Sequence, residues 1–253
     1  MQIKQIIENQ TFDEERALYN IQNTEVRNCT FAGPQDGESV LKETRQVRVD
    51  HCTFSLRYPL WHVQGYELIH SSLDELTRAP IWYSHHGLID SCDIQGIKIL
   101  RECSDTIVSN CQIQSPEFGW FCQDISIKDS EIHSEYMLLH SHHVKIDHLK
   151  FTGKYSFQYM HDLEITNSYL DTKDAFWHSS NVIVKDSVVK GEYLGWFSKN
   201  VTFINCQIIG TQPLCYCENL KLIDCEMIDC DLAFEYSDVQ ATIKGHVDSI
   251  KNV

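Results

Sequence analysis

Apolar and polar residues alternate in short runs that recur along the chain at a nearly fixed interval. Aligned on a small residue, usually Cys or Ser, the runs fall on Cys29, Cys52, Ser72, Cys92, Cys111, Ser130, Leu149, Ser168, Ser187, Cys206 and Cys225, at intervals of 23, 20 and 20 and then a constant 19. Apolar residues stand five and three places before this anchor, as in Val47 and Val49 or Val182 and Val184, and again two places after it, as in Phe31, Phe54, Ile94 and Val189. Alternation of this kind over a few residues describes a short strand with one buried face. Asn or Asp recurs one place before the anchor (Asn28, Asn110, Asp129, Asn167) and six before it (Asn23, Asp105, Asn181, Asn200). These residues tolerate left-handed backbone and bond locally, so they predict bends between the strands.

Short strands and tight bends repeating every 19 residues, with no helical stretch, predict an all-β parallel solenoid in which each column becomes a ladder along the axis. The six-residue beat of a left-handed hexapeptide helix is absent, which favours a right-handed parallel β-helix of 11–12 coils. One domain is expected, with residues 1–22 as an N-terminal cap segment and 23–253 as the β-helix. A cap is expected because an open solenoid end exposes unpaired strand edges. The pattern continues almost to the C-terminus with no obvious cap, so a homo-oligomer that covers that solenoid end is among the expectations.

Composition changes this picture little. The 253 residues are 42% hydrophobic and 23% charged, with 5 Pro and 11 Gly and no linker-like stretch. A net charge of −15 disfavours phosphate backbones and anionic lipid, so neither nucleic acid nor membrane is expected as a partner. No signal-peptide-like or membrane-spanning stretch is evident, which predicts a cytoplasmic protein. The 11 cysteines are an odd number without an export signal, and Ser alternates with Cys in their columns. Free, inward-packed thiols are expected rather than disulfides or redox chemistry.

The motifs LKETRQV (41–47), YPLW (58–61), RAPIWYS (78–84), KDAFW (173–177), GEYLGW (191–196), LCY (214–216) and AFEYS (233–237), with NCTF and DHCTF, resemble a bacterial family known as domain of unknown function 3737. The resemblance spans essentially the whole chain and implies a right-handed β-helix of the pectin-lyase-like kind. It also implies a short segment beyond DSIKNV, and it carries no assigned activity.

Three groups of residues are candidates for chemistry. Ten and nine places before the anchors run two columns rich in aromatic and charged residues. From them Trp82, Tyr83, Arg101, Glu102 and Trp120 are chosen as a ligand-binding set, joined by Arg78 from the same motif as Trp82. Exposed rings beside charged groups suit a saccharide or small ligand, whose apolar face the ring covers while hydroxyls meet the charges. Rings filling a coil would give the same register. The second group is Asp50, His70 and Asp90, two places before successive anchors. The carboxylates would lie ~10 Å apart through two coil rises, slightly beyond an inverting glycosidase pair, with His70 between them as a general base. A solvated row of polar residues on an acidic protein is the better-supported reading of them. The third is the tract HSHHVKIDH, in which His140 and His142 could join His161, one coil on, around a metal; corner residues stacked in register explain it too. No cofactor is expected. A carbohydrate-binding solenoid is the leading reading, against a carbohydrate-active hydrolase or lyase and a structural or interaction module.

Overall fold

The computed structural model describes residues 1–33 and 37–253. Among these there is no helix; short strands and tight turns make up about twelve coils of a right-handed parallel β-helix. The coils group into two compact units, Met1–Ile132 and His133–Val253.

In the first unit, the strands Gln22–Arg27, Arg45–Asp50, Gln64–Ile69, His85–Asp90 and Ser104–Ser109 lie side by side in parallel. Their alternation aligns Val26, Val49, Leu68, Ile89 and Val108 as one ladder, all fully buried. A second ladder of short strands stacks Phe31 on Phe54 at 4.9 Å, with Phe12 on the other side of Phe31 at 5.1 Å. The segment expected as a cap contributes the terminal coil, because Gln5–Glu8 pairs with Thr24 to Arg27 in the same 19-residue register.

The anchor series needs one correction. Cys52 is followed by Ser71, not Ser72: the Cys52 amide donates to Ser71 Oγ at 3.0 Å, and Thr53 pairs with Ser72. The two intervals of 20 are therefore 19 and 21. Two additional residues sit in the exposed stretch Asp74 to Leu76, where the offset to the next coil falls from 21 at Leu73/Ile94 to 19 at Thr77/Gly96. Counted from Ser71, Leu73 takes the apolar place two after the anchor, between Phe54 and Ile94, and Leu68 the place three before it, between Val49 and Ile89.

In the second unit the register is steady. The strands His161–Thr166, Ser180–Lys185 and Lys199–Ile204 pair in parallel, and Ile146, Ile165, Val184, Phe203 and Leu222 form the buried ladder. The steadiness ends towards the last coil: Ser237 follows Cys217 in its column by 20, and in the last strand, Val239–Lys244, Cys225 pairs with Ile243 rather than Lys244.

The bends are where the sequence places them. Asn28, His51, His70, Ser91, Asn110 and Asp129 all have φ near +50°, and a similar series runs through Asn167, Asp186, Asn205 and Asp224 in the second unit. All cysteines are free and buried. Their thiols donate to backbone carbonyls, as Cys103 does to Ile81 O at 3.0 Å, and Ser84 Oγ donates to Leu60 O at 2.8 Å in the same column. Burial pushes the Cys52 and Cys217 thiols up to about 12, which makes them poor nucleophiles.

Candidate functional site

Ahead of the column of Ser84 and Cys103 the chain turns through alternate left-handed residues, so both aromatic columns face outward. In the first unit Leu41, Leu60, Ile81 and Leu100 adopt positive φ and point inward. The next residue of each coil is half-buried, and the one after it again has positive φ: Glu43, His62, Tyr83, Glu102 and Phe121. The half-buried column reads Lys42, Trp61, Trp82, Arg101 and Trp120. Trp61 belongs here by the same one-residue correction that moved the anchor to Ser71, and His62 takes the neighbouring place.

These side chains form a tight pile. Trp61 and Trp82 stack at 5.1 Å and 7°, and the Arg101 guanidinium lies 5.1 Å from the Trp82 ring and 5.8 Å from the Trp120 ring. At the other end Lys42 Nζ lies 5.8 Å from the Trp61 ring. The indole N–H of Trp61 donates to Ala79 O at 2.6 Å and that of Trp82 to Lys98 O at 2.7 Å. The second unit repeats the device with Trp177 to Tyr193 O and Trp196 to Gln212 O, and Gln158 substitutes with its amide to Asp174 O. The tryptophans thus tie neighbouring coils together. The Trp82 face that a sugar would need is covered by Trp61 on one side and Arg101 on the other.

Tyr83 is occupied as well, stacked on His62 at 5.0 Å. Arg78 stands in a different column, aligned with Arg57 and Ile97. Arg101 and Glu102 have a different setting. They border an open depression of about 580 Å³ with His85, Ser104, Phe121 and Gln123. Phe121 is 44% exposed, and Arg101 also lies over its ring at 5.4 Å. Glu102 is exposed, 3.9 Å from Arg101 Nε, and His85 Nδ1 is 2.6 Å from Ser104 Oγ. Burial holds the His85 imidazole below its ordinary value, with the neighbouring His86 and His62 charges next in weight. The lowered value favours the neutral imidazole, which can donate at one nitrogen and accept at the other.

The corrected register separates the Asp50, His70 and Asp90 row. Asp50 pairs with Ile69, and Ile69 with Asp90, so the residue between the two carboxylates is Ile69. His70 sits at the following corner beside His51, their rings 4.8 Å apart. Asp50 Oδ1 lies 2.6 Å from His51 Nδ1 and 3.0 Å from His70 Nδ1. Partial burial raises the Asp50 carboxyl, but the bonds from His70 and His51 outweigh it and hold it below its ordinary value. Asp90 is likewise lowered on balance, by Ser109, Asn110 and Ser91 against burial. Neither carboxyl is held in the protonated form that a general acid requires.

In the second unit His142 and His161 are ladder neighbours, as their spacing predicts, and His161 Nδ1 is 2.5 Å from Ser180 Oγ. His140 instead begins an outward stack through Tyr159, His178, Phe197, Tyr216 and Tyr236, with ring centroids 4.6–5.6 Å apart. A spacing of 19 aligns the first five of these rings, and the sixth, Tyr236, follows Tyr216 by 20 because one more residue enters that coil.

The model of the family "Protein of unknown function (DUF3737)" matches residues 5–253. No curated protein matches the sequence. Among solved structures, a PL6 alginate lyase in complex with a trisaccharide superposes with a TM-score of 0.64 at 7% identity, over 98% of this chain and 81% of that one. The surface adhesin PfbA of Streptococcus pneumoniae does so with a TM-score of 0.54 at 10% identity, over 94% and 83%. At these identities the likeness concerns the fold.

Proposed function

The chain belongs to the DUF3737 family, and from that premise we propose that it binds a saccharide in the depression bordered by His85, Arg101, Glu102, Ser104, Phe121 and Gln123. The observation that carries this reading is the company of Phe121. Its ring is 44% exposed with the Arg101 guanidinium over it, and it stands on the rim of an open depression otherwise bordered mainly by hydrogen-bonding groups. An aromatic surface can cover the apolar face of a pyranose while carboxylate, guanidinium, hydroxyl and amide groups bond its hydroxyls. Trp82 and Trp120, its column neighbours, sandwich Arg101, which restricts that long side chain before any ligand arrives and so lessens the ordering penalty on binding. A saccharide also fits the company the fold keeps, since the alginate lyase of similar fold is a complex with a trisaccharide. Binding rather than cleavage is the reading favoured, because among the described residues bordering the depression Glu102 is the one carboxylate and hydrolysis of a glycosidic bond ordinarily uses two.

The test is calorimetric titration with a panel of oligosaccharides, alginate trisaccharides included. A hit should weaken at least about tenfold in Phe121→Ala and in Glu102→Gln, the loss of ~1.4 kcal/mol that one good contact supplies. Trp61→Phe, one step removed from the depression, should bind as the parent does. A panel without a binder, or a binder indifferent to both rim substitutions, would sink the proposal.

A further inference from the structure

The corner formed by Asp50, His51 and His70 has no part in that reading, yet it gathers three metal-binding side chains at one point of the surface. Sequence order alone does not bring them together. Asp50 ends one strand, His51 follows it, and His70 is the equivalent corner residue of the next coil, 19 positions on. Both histidines adopt the same left-handed backbone, φ 52° and 47°, so the solenoid repeat gives their imidazoles matching directions. The rings stack at 4.8 Å with a 36° tilt. Both Nδ1 atoms approach the same oxygen, Asp50 Oδ1, at 2.6 and 3.0 Å. One donor atom from each residue lies within 4.8 Å of the others. A cation with bonds of ~2.0–2.2 Å to imidazole nitrogen and carboxylate oxygen needs its donors roughly 3 Å apart, which is the scale of the distances found.

We infer that Asp50, His51 and His70 form a surface site for a late first-row divalent cation of the Zn²⁺ or Ni²⁺ class. The donor set of two imidazoles and one carboxylate suits these ions rather than Ca²⁺ or Mg²⁺, which prefer all-oxygen surroundings. The carboxylate supplies the negative charge that a dication requires, and nearby cations are already engaged: Arg48 pairs with Glu67 at 2.6 Å and Arg27 with Glu8 at 2.5 Å. The histidine side chains are 60% and 49% exposed and Asp50 is 24% exposed, so an ion reaches the site without opening the coil. Three protein donors leave positions for water or for an oxygen of a further ligand.

The experiment is titration of the full chain with Zn²⁺, Ni²⁺ and Co²⁺, followed by calorimetry and, for Co²⁺, by absorption. One equivalent should bind, and the Co²⁺ spectrum should lack thiolate charge-transfer absorption, which separates this corner from the cysteines. His70→Ala and Asp50→Asn should each weaken binding by about tenfold or more, in line with the cost of disturbing a metal-ligand set. His161→Ala should leave it unchanged. Because the three residues lie at an exposed corner, circular dichroism should report an intact fold in every variant. Undetectable binding, thiolate absorption, or equal affinity in the Asp50→Asn/His51→Ala/His70→Ala triple variant would each overturn the assignment.

Discussion

Ser and Cys interchange at most places of the inward ladders, with Leu149, Met160 and Val63 as departures, because a small side chain with one hydrogen to donate suits these places. Ser179 Oγ donates to Phe157 O at 2.7 Å and accepts from the Met160 amide at 3.0 Å; Cys217 Sγ, two coils later in the column, donates to Gly195 O at 3.0 Å. What sequence shows as a cysteine-rich chain is therefore a hydrogen-bonding requirement met by two residue types. Polar corners obey a similar rule outside. Thr166 donates to Asp147 at 2.6 Å, Asn167 at 2.8 Å, and His148 Nδ1 lies 2.9 Å away. Together, Thr166 first, they hold the Asp147 carboxyl down at about 2. A carboxyl lowered on folding stabilises the protein above its unfolded value near 4 and loses that contribution as pH falls toward 2. Asp147→Asn should thus unfold at a lower temperature than the parent at pH 6, and the difference should shrink steadily between pH 4 and pH 2. Thermal unfolding followed across that range decides it; a gap independent of pH would show that the carboxylate charge is not what the corner uses.

At the scale of the coil, the tryptophan column joins packing to cross-coil hydrogen bonding. Trp82 gives its indole N–H to Lys98 O while its ring lies between Trp61 and Arg101. Trp82→Phe keeps an aromatic ring in the pile and removes the N–H, leaving the half-buried carbonyl of Lys98 to water. A destabilisation of about 1 kcal/mol is expected, read as a lower denaturant midpoint with an unchanged slope. An unchanged midpoint would mean that the indole bond is fully replaced by solvent. The strands, corners and buried ladders of these coils were legible in the sequence because they rest on local periodicity. Two things were not. The alignment spread two inserted residues as one in each of two coils, since Ser71 and Ser72 offer the same small side chain. Counted from Ser72, the apolar place two after the anchor falls on Asp74, whereas from Ser71 it falls on Leu73, and that was the signal. That slip removed Trp61 from the tryptophan column and set His70 between two aspartates it does not separate. The directions of the aromatic columns were also hidden: strand alternation sends neighbouring side chains to opposite faces, whereas consecutive left-handed turns at Ile81 and Tyr83 send Trp82 and Tyr83 to the same one.

Over the whole molecule, a solenoid stacks each coil chiefly on its neighbours, so stability accumulates along the axis and is least where a coil has a neighbour on one side. The burial of the outermost strands reflects this. Gln5–Glu8 has no buried residue, nor has Val239–Lys244, while every interior strand of the main ladder buries alternate side chains. The surface adds little to offset the difference. Ion pairs between successive coils, such as Lys190 with Asp171 at 2.9 Å and Lys199 with Glu218 at 2.8 Å, are exposed and salt-screened, and the net charge of −15 is self-repelling. Amide hydrogen exchange should therefore be graded within each unit. Amides of Gln5–Glu8 should exchange well before those of Ile89 and Val108, and amides of Val239–Lys244 well before those of Val184. Raising the salt concentration should slow the terminal amides more than the interior ones, because it relieves charge repulsion without altering the buried ladders. Uniform protection from the first strand to the ladders would mean that the outermost coils are covered in solution, as an end-to-end contact with another copy of the chain would cover them.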